Sequence, residues 1–427
     1  MNEPIFIARQ DTLEQEILPA HWLAQYKLFG EESYTFQDKG IWKKLCMSRA
    51  AANDRDIHAE ALEEMLTTFS AEHTGKWMLL VYGTNAAALE GLATMAAIAA
   101  NGTAMGAIAD NALLMHAIAN SETAMQRIAN SQTAMQRVAN NTTAMDAIGR
   151  SRIARDAVQA SPYYNSYIKE NDMAIAKLVV GFANLESAGY SGMAGVAADS
   201  TAMTAVAASA TAMTAVAASS VARNAISASP YYDEKIKEND MAIAKLVVGF
   251  ANLASANYSS MAGVVADATA MTAVAASSTA MTAVAASGVA LKAIAQAYKK
   301  TANMLQFLKA VNASDTLVKR IYSTLTGATG LFGATQLGSQ DGVESANSWA
   351  TTSAAPNAFL ACACGYYSSG GSSVNVTYNG TVIAQNKTGA KQPGSVTSTN
   401  VNAITMAPST FTENGDGWLA VQKFTVK

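Results

Sequence analysis

Residues 200–219 read STAMTAVAASATAMTAVAAS, two copies of a ten-residue unit that recurs from about residue 91 to 295. Methionine stands at 95, 105, 115, 125, 135 and 145, again at 193, 203 and 213, and again at 261, 271 and 281, each followed three residues on by Ile or Val. Such a period constrains the architecture before composition does. Ten steps of about 100° leave an apolar stripe about 80° out of phase after every unit, which excludes one continuous helix. Coiled coils repeat at seven or eleven residues instead. Four residues before each of nine Met stands a side chain able to accept from the free amides of a first helical turn: Asn101, Asn111, Ser121, Ser131, Asn141, Asp199, Ser209, Asp267 and Ser277. Each decad therefore predicts a two-turn helix such as Glu122–Ala129, closed at Asn130 by a left-handed C-cap and restarted by Ser131. Helices this short do not persist alone. The Met, the Ile or Val three on, and the Ala just before and four after the Met share one face. The residue after the Met varies (Gly106, His116, Gln126, Asp146, Thr204), as an outward position does. Stacking of such units is the physics of a solenoid.

The chain has 427 residues, half of them apolar, enough for about two to four domains. Only 14% of residues are charged and the net charge is −3, which argues against nucleic-acid binding through basic side chains and against disorder. Residues 1–15 are polar and acidic with no visible signal peptide, and no long apolar run escapes Asn, Lys or Asp. The expectation is a product that begins life as a soluble cytoplasmic protein, without membrane insertion. Cys46, Cys362 and Cys364 cannot all pair within the chain, and Cys-x-Cys without further ligands favours buried thiols over a metal site. No cofactor is expected.

Residues 1–84 hold every His except His116 and a high density of charge, and predict a separate α or α+β domain for anchoring and assembly. Within it 48–69 reads as an amphipathic helix and 77–82 (WMLLVY) as a buried strand or helix end. His58, Glu60, Glu63 and Glu64 lack the second His of a helical zinc motif and are assigned to a solvated helix face. Trp22, Tyr26, Phe29 and Trp42 are the candidate assembly residues, because aromatic side chains anchor interfaces; forming that domain's own core is the competing role.

Residues 85–326 are the expected helical shaft. Its decad blocks end in variant units where Arg155, Arg223 and Leu291 take the Met position, and residues 160–227 recur almost verbatim as 228–295, a 68-residue duplication. Ser161-Pro162 and Ser229-Pro230 predict helix starts. The run 173–185 predicts a buried helix, with Lys177 and the duplicated Lys245 snorkelling to the surface. From 289 to about 326 ordinary long helices are expected to seal the solenoid with a polar-faced cap. A Gly/Thr/Ser-rich linker over 327–342 leads to 343–427, where alternation in SVNVTY (373–378), a turn at Asn379-Gly380 and a last strand over 418–426 predict a small antiparallel β-sandwich. The predicted fold class is mostly α: an elongated solenoid of short capped helices between the N-terminal α or α+β domain and this sandwich.

No nucleotide-binding glycine loop, G-x-S-x-G elbow, HExxH or Cys/His zinc spacing occurs in the sequence. A glycosidase pair is open only to Glu413 and Asp416, in a TENGDGW segment that turn chemistry explains better. These two, with Tyr366, Tyr367, Tyr378 and Trp418, are the candidate recognition residues, since exposed aromatics stack on sugars, although core packing is their commoner fate. No catalytic residue is assigned.

Decads of the form T-A-M-x-A-V/I-A-x-S, as in 201–209 and 211–219, resemble the repetitive shafts of structural proteins of tailed bacteriophages, notably tail and neck fibres. The resemblance covers 91–295. It implies a virion protein with an N-terminal docking domain, a duplicated spacer and a distal β domain. Other virion proteins, a host-surface glycan or protein, and further copies of the chain, with a trimer favoured, are the implied partners. The family's shafts are often β-structured or coiled coil, and the short helices predicted here depart from that. A bacterial surface adhesin and, more remotely, a glycan-degrading virion enzyme share the layout.

Overall fold

The computed structural model describes residues 91–340, 348–350, 357–366, 373–387, 395–406, 409–414 and 417–427, together with 87–89 and a few positions between 59 and 78. Trp22, Tyr26, Phe29, Trp42, His58, Glu60 and Glu64 lie outside the described residues. Of the helix expected over 48–69, Ala59, Leu62, Glu63, Leu66 and Thr67 are described and helical, and Met78 is helical too. The chain is mostly helical with a C-terminal antiparallel sheet region. It divides into two compact units, residues 1–206 and 207–427.

In the first unit the decads fold into short helices: α1 (Met95–Ala100), α2 (Gly102–Ala109), α3 (Ala112–Ala119), α4 (Glu122–Ala129), α5 (Gln132–Ala139), α6 (Thr142–Arg150) and α7 (Arg152–Ala160). A single turn α8 (Tyr164–Tyr167), the longer α9 (Asp172–Phe182) and α10 (Met193–Ala198) follow, and α11 (Ser200–Ala208) runs across the unit boundary. The capping residues act as their chemistry requires: Ser121 Oγ accepts from Ala124 N at 3.1 Å and Asn141 Oδ1 from Ala144 N at 2.9 Å. The left-handed C-cap is not used. Asn130 has φ −91° and ψ 4°, because the extended Ser131 (φ −111°, ψ 121°) already turns the chain into the next helix. Left-handed Asn residues instead end the longer helices, at Asn184 (φ 57°) and Asn252 (φ 58°). Ser161 caps a turn rather than a long helix, accepting from Tyr163 N at 3.1 Å, and the long helix starts at its own cap, Asn171, which accepts from Ala174 N.

Each short helix packs on the helix three places further along: α1 on α4, α2 on α5, α3 on α6, α4 on α7 and α6 on α9. The buried face is the one the decad pattern marks, as with Ala104, Met105, Ile108 and Ala109 or Ala134, Met135, Val138 and Ala139. A second set of bonds fixes the register. The same side chain that caps one helix donates to the last turn of the helix four earlier: Ser131 Oγ to Ala99 O (2.6 Å), Ser151 Oγ to Ala119 O (2.6 Å) and Asn171 Nδ2 to Ala139 O (3.1 Å). Ser161 Oγ donates likewise to Ala129 O.

The second unit repeats this with α12 (Ala210–Ala218), α13 (Ser220–Ser227), α14 (Tyr232–Lys235), α15 (Asp240–Phe250), α16 (Met261–Ala266), α17 (Ala268–Ala276), α18 (Ser278–Ala286) and α19 (Gly288–Gln296). Here α12 packs on α15, α15 on α18 and α16 on α19, and Asn239 Nδ2 donates to Ala207 O at 3.3 Å. The long helix expected from 289 is broken at 297–300, giving α19 and then α20 (Thr301–Asn312), followed by α21 (Asp315–Gly327).

The last two helices do not form a polar seal. They carry the sheets: Phe307 meets the Phe359 ring at 6.4 Å, Tyr322 meets Phe424 edge-on at 5.8 Å, and Asn312 both donates to Ile404 O (2.7 Å) and accepts from Ile404 N (3.0 Å). The expected linker is correspondingly a strand, β1 (Phe332–Gln340), antiparallel to β8 (Gly417–Val426). The other strands are β2 (Ser348–Ala350), β3 (Ala358–Tyr366), β4 (Ser373–Tyr378), β5 (Thr381–Lys387), β6 (Ala403–Met406) and β7 (Ser409–Asn414). They form two four-stranded sheets, β1-β8-β3-β6 and β2-β7-β4-β5. The hairpin between β4 and β5 turns at Asn379 (φ 46°) and Gly380 (φ 75°), as its sequence requires.

Close approach of α6 and α9 depends on glycine, since a Cβ on Gly181 would lie 2.1 Å from Gly149 O, whereas one on Gly106 would meet nothing within 4 Å. Gly181→Ala is expected to destabilise the protein by about 1–3 kcal/mol through overpacking. Gly106→Ala should be neutral or stabilising by up to about 1 kcal/mol. Urea unfolding of both variants decides, and equal effects would contradict the packing described.

Candidate functional site

The least expected chemistry in the described residues lies on α9, whose sequence DMAIAKLVVGF is buried from Ala174 to Phe182. Lys177 does not snorkel. Its side chain is fully buried, and Nζ donates to Ser187 O at 2.8 Å and Ala188 O at 3.4 Å while pairing with Asp146 Oδ1 at 2.7 Å. Ser187 Oγ donates to the same Asp146 oxygen at 3.0 Å. An ammonium has three N–H donors and no acceptor, so this arrangement uses all three. The lysine thereby fastens the loop after α9 to α6, on which α9 packs. Asp146 occupies the variable position after a decad Met, 31 residues before the lysine, so no local spacing marks the pair. Only the three-helix stagger brings them together.

The 68-residue shift that takes Lys177 to Lys245 takes Ser187 to Ser255 and Asp146 to Thr214. Lys245 is 2% exposed and donates to Ser255 O (3.0 Å) and Ala256 O (3.3 Å). Burial lowers its pKa from the usual lysine value. Thr214 Oγ1 bonds within its own helix, to Ala210 O at 2.8 Å.

Other pairs obey the same shift. Arg155 Nη1 donates to Gly149 O at 2.6 Å with the guanidinium 5.6 Å from the Phe182 centroid, and Arg223 repeats this against Ala217 O and Phe250 (5.8 Å). These block-ending arginines thus meet the next long helix by stacking on its aromatic end. Tyr190 Oη donates to Asp199 Oδ2 (2.8 Å), and Tyr258 Oη to Asp267 Oδ2 (2.7 Å). Desolvation and the bond to Asp199 push the Tyr190 phenol up to about 12. The Asp199 carboxyl is held below its usual value by bonds from Ala202 N and Tyr190. Glu63, assigned from sequence to a solvated face, instead accepts from Thr123 N at 3.2 Å and from the hydroxyls of Ser121 and Thr123, so it caps α4 from outside.

The candidate recognition residues do not converge. Tyr378 is a core residue, 1% exposed, which removes it from a recognition surface. Gly365 pairs with Trp418 and Tyr366 with Gly417 across β3 and β8, so backbone register sets Tyr366 and Trp418 at one end of that sheet. Glu413 belongs to β7 of the other sheet, opposite Val374, rather than to a turn. Tyr367 and Asp416 lie outside the described residues. Cys362 and Cys364 are buried on β3 and not joined in a disulfide; Cys46 lies outside the described residues.

Surface grooves among the described residues include two of about 440 Å³ each. One, in the first unit, is lined by Glu122, Gln126, Asn130, Asp156 and the exposed Ile153. The other, in the second, lies between Lys309, Asn312 and the β5 residues Val382, Ala384 and Lys387. Among the described residues no group of three or more His, Cys, Asp or Glu could hold a metal ion, and no single helix is long and apolar enough to cross a membrane. Comparison of the chain with models of protein families and with curated proteins gave no match.

Asp146→Ala strands a buried ammonium and is expected to destabilise by about 3 kcal/mol, the low end for a broken buried pair because the Asp146 side chain is 20% exposed. Thr214→Ala removes only an intrahelical back-bond and should change stability by less than about 1 kcal/mol. Denaturant midpoints of the two variants measure this, and a larger loss at Thr214 would contradict the role given to the pair.

Proposed function

We propose that the chain is a structural component of a tailed-bacteriophage virion, of the tail- or neck-fibre type. In this reading residues 85–326 form an elongated solenoid that serves as a spacer. The observation that carries it is the bond from a capping side chain to a carbonyl four helices earlier, which recurs with the same stagger in each unit. A unit that satisfies its own end groups through its neighbours can be lengthened by duplication without redesign, and the near-verbatim 68-residue copy is the record of such an event. The β domain, mounted on α20 and α21 through a shared core, is proposed as the distal recognition module for a host-surface glycan or protein. Tyr366 and Trp418 stand at one end of its β3–β8 sheet. The N-terminal 84 residues are proposed to join the other virion proteins, with further copies of the chain, a trimer in the first instance, as partners.

Antibody raised to the whole protein should label tail or neck fibres of negatively stained virions. Label on the surface of phage-free bacteria, with virions unlabelled, would replace this reading with the adhesin.

A further inference from the structure

The two lysine nodes are the same construction with one difference, and that difference leaves donors without an acceptor. Around Lys177 a single oxygen, Asp146 Oδ1, receives both the third ammonium N–H and the Ser187 hydroxyl. Around Lys245 the two backbone bonds are kept, but Thr214 stands where the aspartate would be and turns its hydroxyl to Ala210 O. The Ser255 hydroxyl, on a residue 4% exposed, has no hydrogen-bond partner. Lys245 thus has one N–H of three uncommitted. A buried polar group left unmatched is destabilising, and a buried charge more so.

We propose that the second node binds a small monovalent anion of the chloride type between Lys245 Nζ and Ser255 Oγ, at the position that Asp146 Oδ1 holds in the first node. Three features select this ligand. The ammonium can only donate and the hydroxyl can donate beside it, so a ligand that accepts from both matches the node. One of them is a cationic ammonium with no carboxylate paired to it among the described residues, so a negative ligand is matched better than water. Thr214 is one heavy atom smaller than Asp, so the exchange frees room for an ion of atomic size and not for sulfate or phosphate. Thr214 is half-buried, as Asp146 is at the first node, so the position between Lys245 and Ser255 lies near solvent. Anion binding here fastens the loop after α15 to α12 as the aspartate fastens the loop after α9 to α6.

The test uses the full chain, with sodium chloride exchanged for sodium gluconate at constant ionic strength and thermal unfolding as the readout. The wild type should gain midpoint temperature with chloride, rising with the logarithm of its concentration above the dissociation constant, as expected when a ligand binds only the folded state. Thr214→Asp should abolish that dependence while raising the midpoint in gluconate, and Ser255→Ala should raise the chloride dissociation constant roughly tenfold, the equivalent of one lost charge-assisted bond. Crystals of the wild type soaked in bromide should show anomalous density beside Lys245 and none beside Lys177, a measurement that needs no variant. A chloride response equal in wild type and Thr214→Asp, or bromide absent beside Lys245, would overturn the proposal.

Discussion

A capping side chain that both accepts and donates holds this fold together. An N-cap normally has one task, to accept from an amide of the helix it begins. Here Ser and Asn caps use their second function as well, donating into the last turn of the helix four earlier. A helix of eight or nine residues leaves most of its end groups unpaired and has little propensity to persist alone. The two-way cap meets both difficulties at once, satisfying an amide at one end of a helix and a carbonyl at the end of another. It also sets the stagger, so that Met, Ile or Val and small Ala faces meet in register. Ala at the contacts and Gly at the tightest one let backbones approach closely, as Gly181 does against Gly149 O.

That stagger decides which distant residues become neighbours. Asp146 and Lys177 are brought together by it. The duplicated nodes make the point by comparison. The scaffold around Lys177 and Lys245 is the same to the level of individual backbone bonds, while the position that supplies the counter-charge has changed from Asp146 to Thr214. The electrostatics of the two nodes therefore differ although their geometry does not.

Much of the helical architecture was legible because its signals are local. The caps from Asn101 to Ser277, the apolar face of each decad and the Asn379-Gly380 hairpin all follow from residues within one unit. What was not legible depended on partners remote in sequence. Lys177 reads as a snorkelling lysine until α6 is placed beside α9. The stretch 327–342, rich in Gly, Thr and Ser, reads as a linker until β8 supplies the ladder that makes 332–340 a strand. Tyr378 alternates correctly as a strand residue, yet which side of β4 faces inward is set by packing that its own segment does not encode. The left-handed cap expected at Asn130 failed for a related reason, because the extended Ser131 had already reversed the chain.

The two-way cap is tested most directly by an isosteric change at Asn171, which accepts from Ala174 N at 3.1 Å and donates to Ala139 O at 3.1 Å. Asn171→Asp keeps the acceptor, and a carboxylate at a helix start is if anything a better cap. It removes the donor and sets an anion against a carbonyl, so the account expects a loss of about 1–3 kcal/mol in urea unfolding. The same change at Asn101, which only accepts, from Thr103 N and Ala104 N, should be neutral or slightly stabilising. If Asn171→Asp were as stable as wild type, the caps would be serving their own helices alone and the account of the stagger would be wrong.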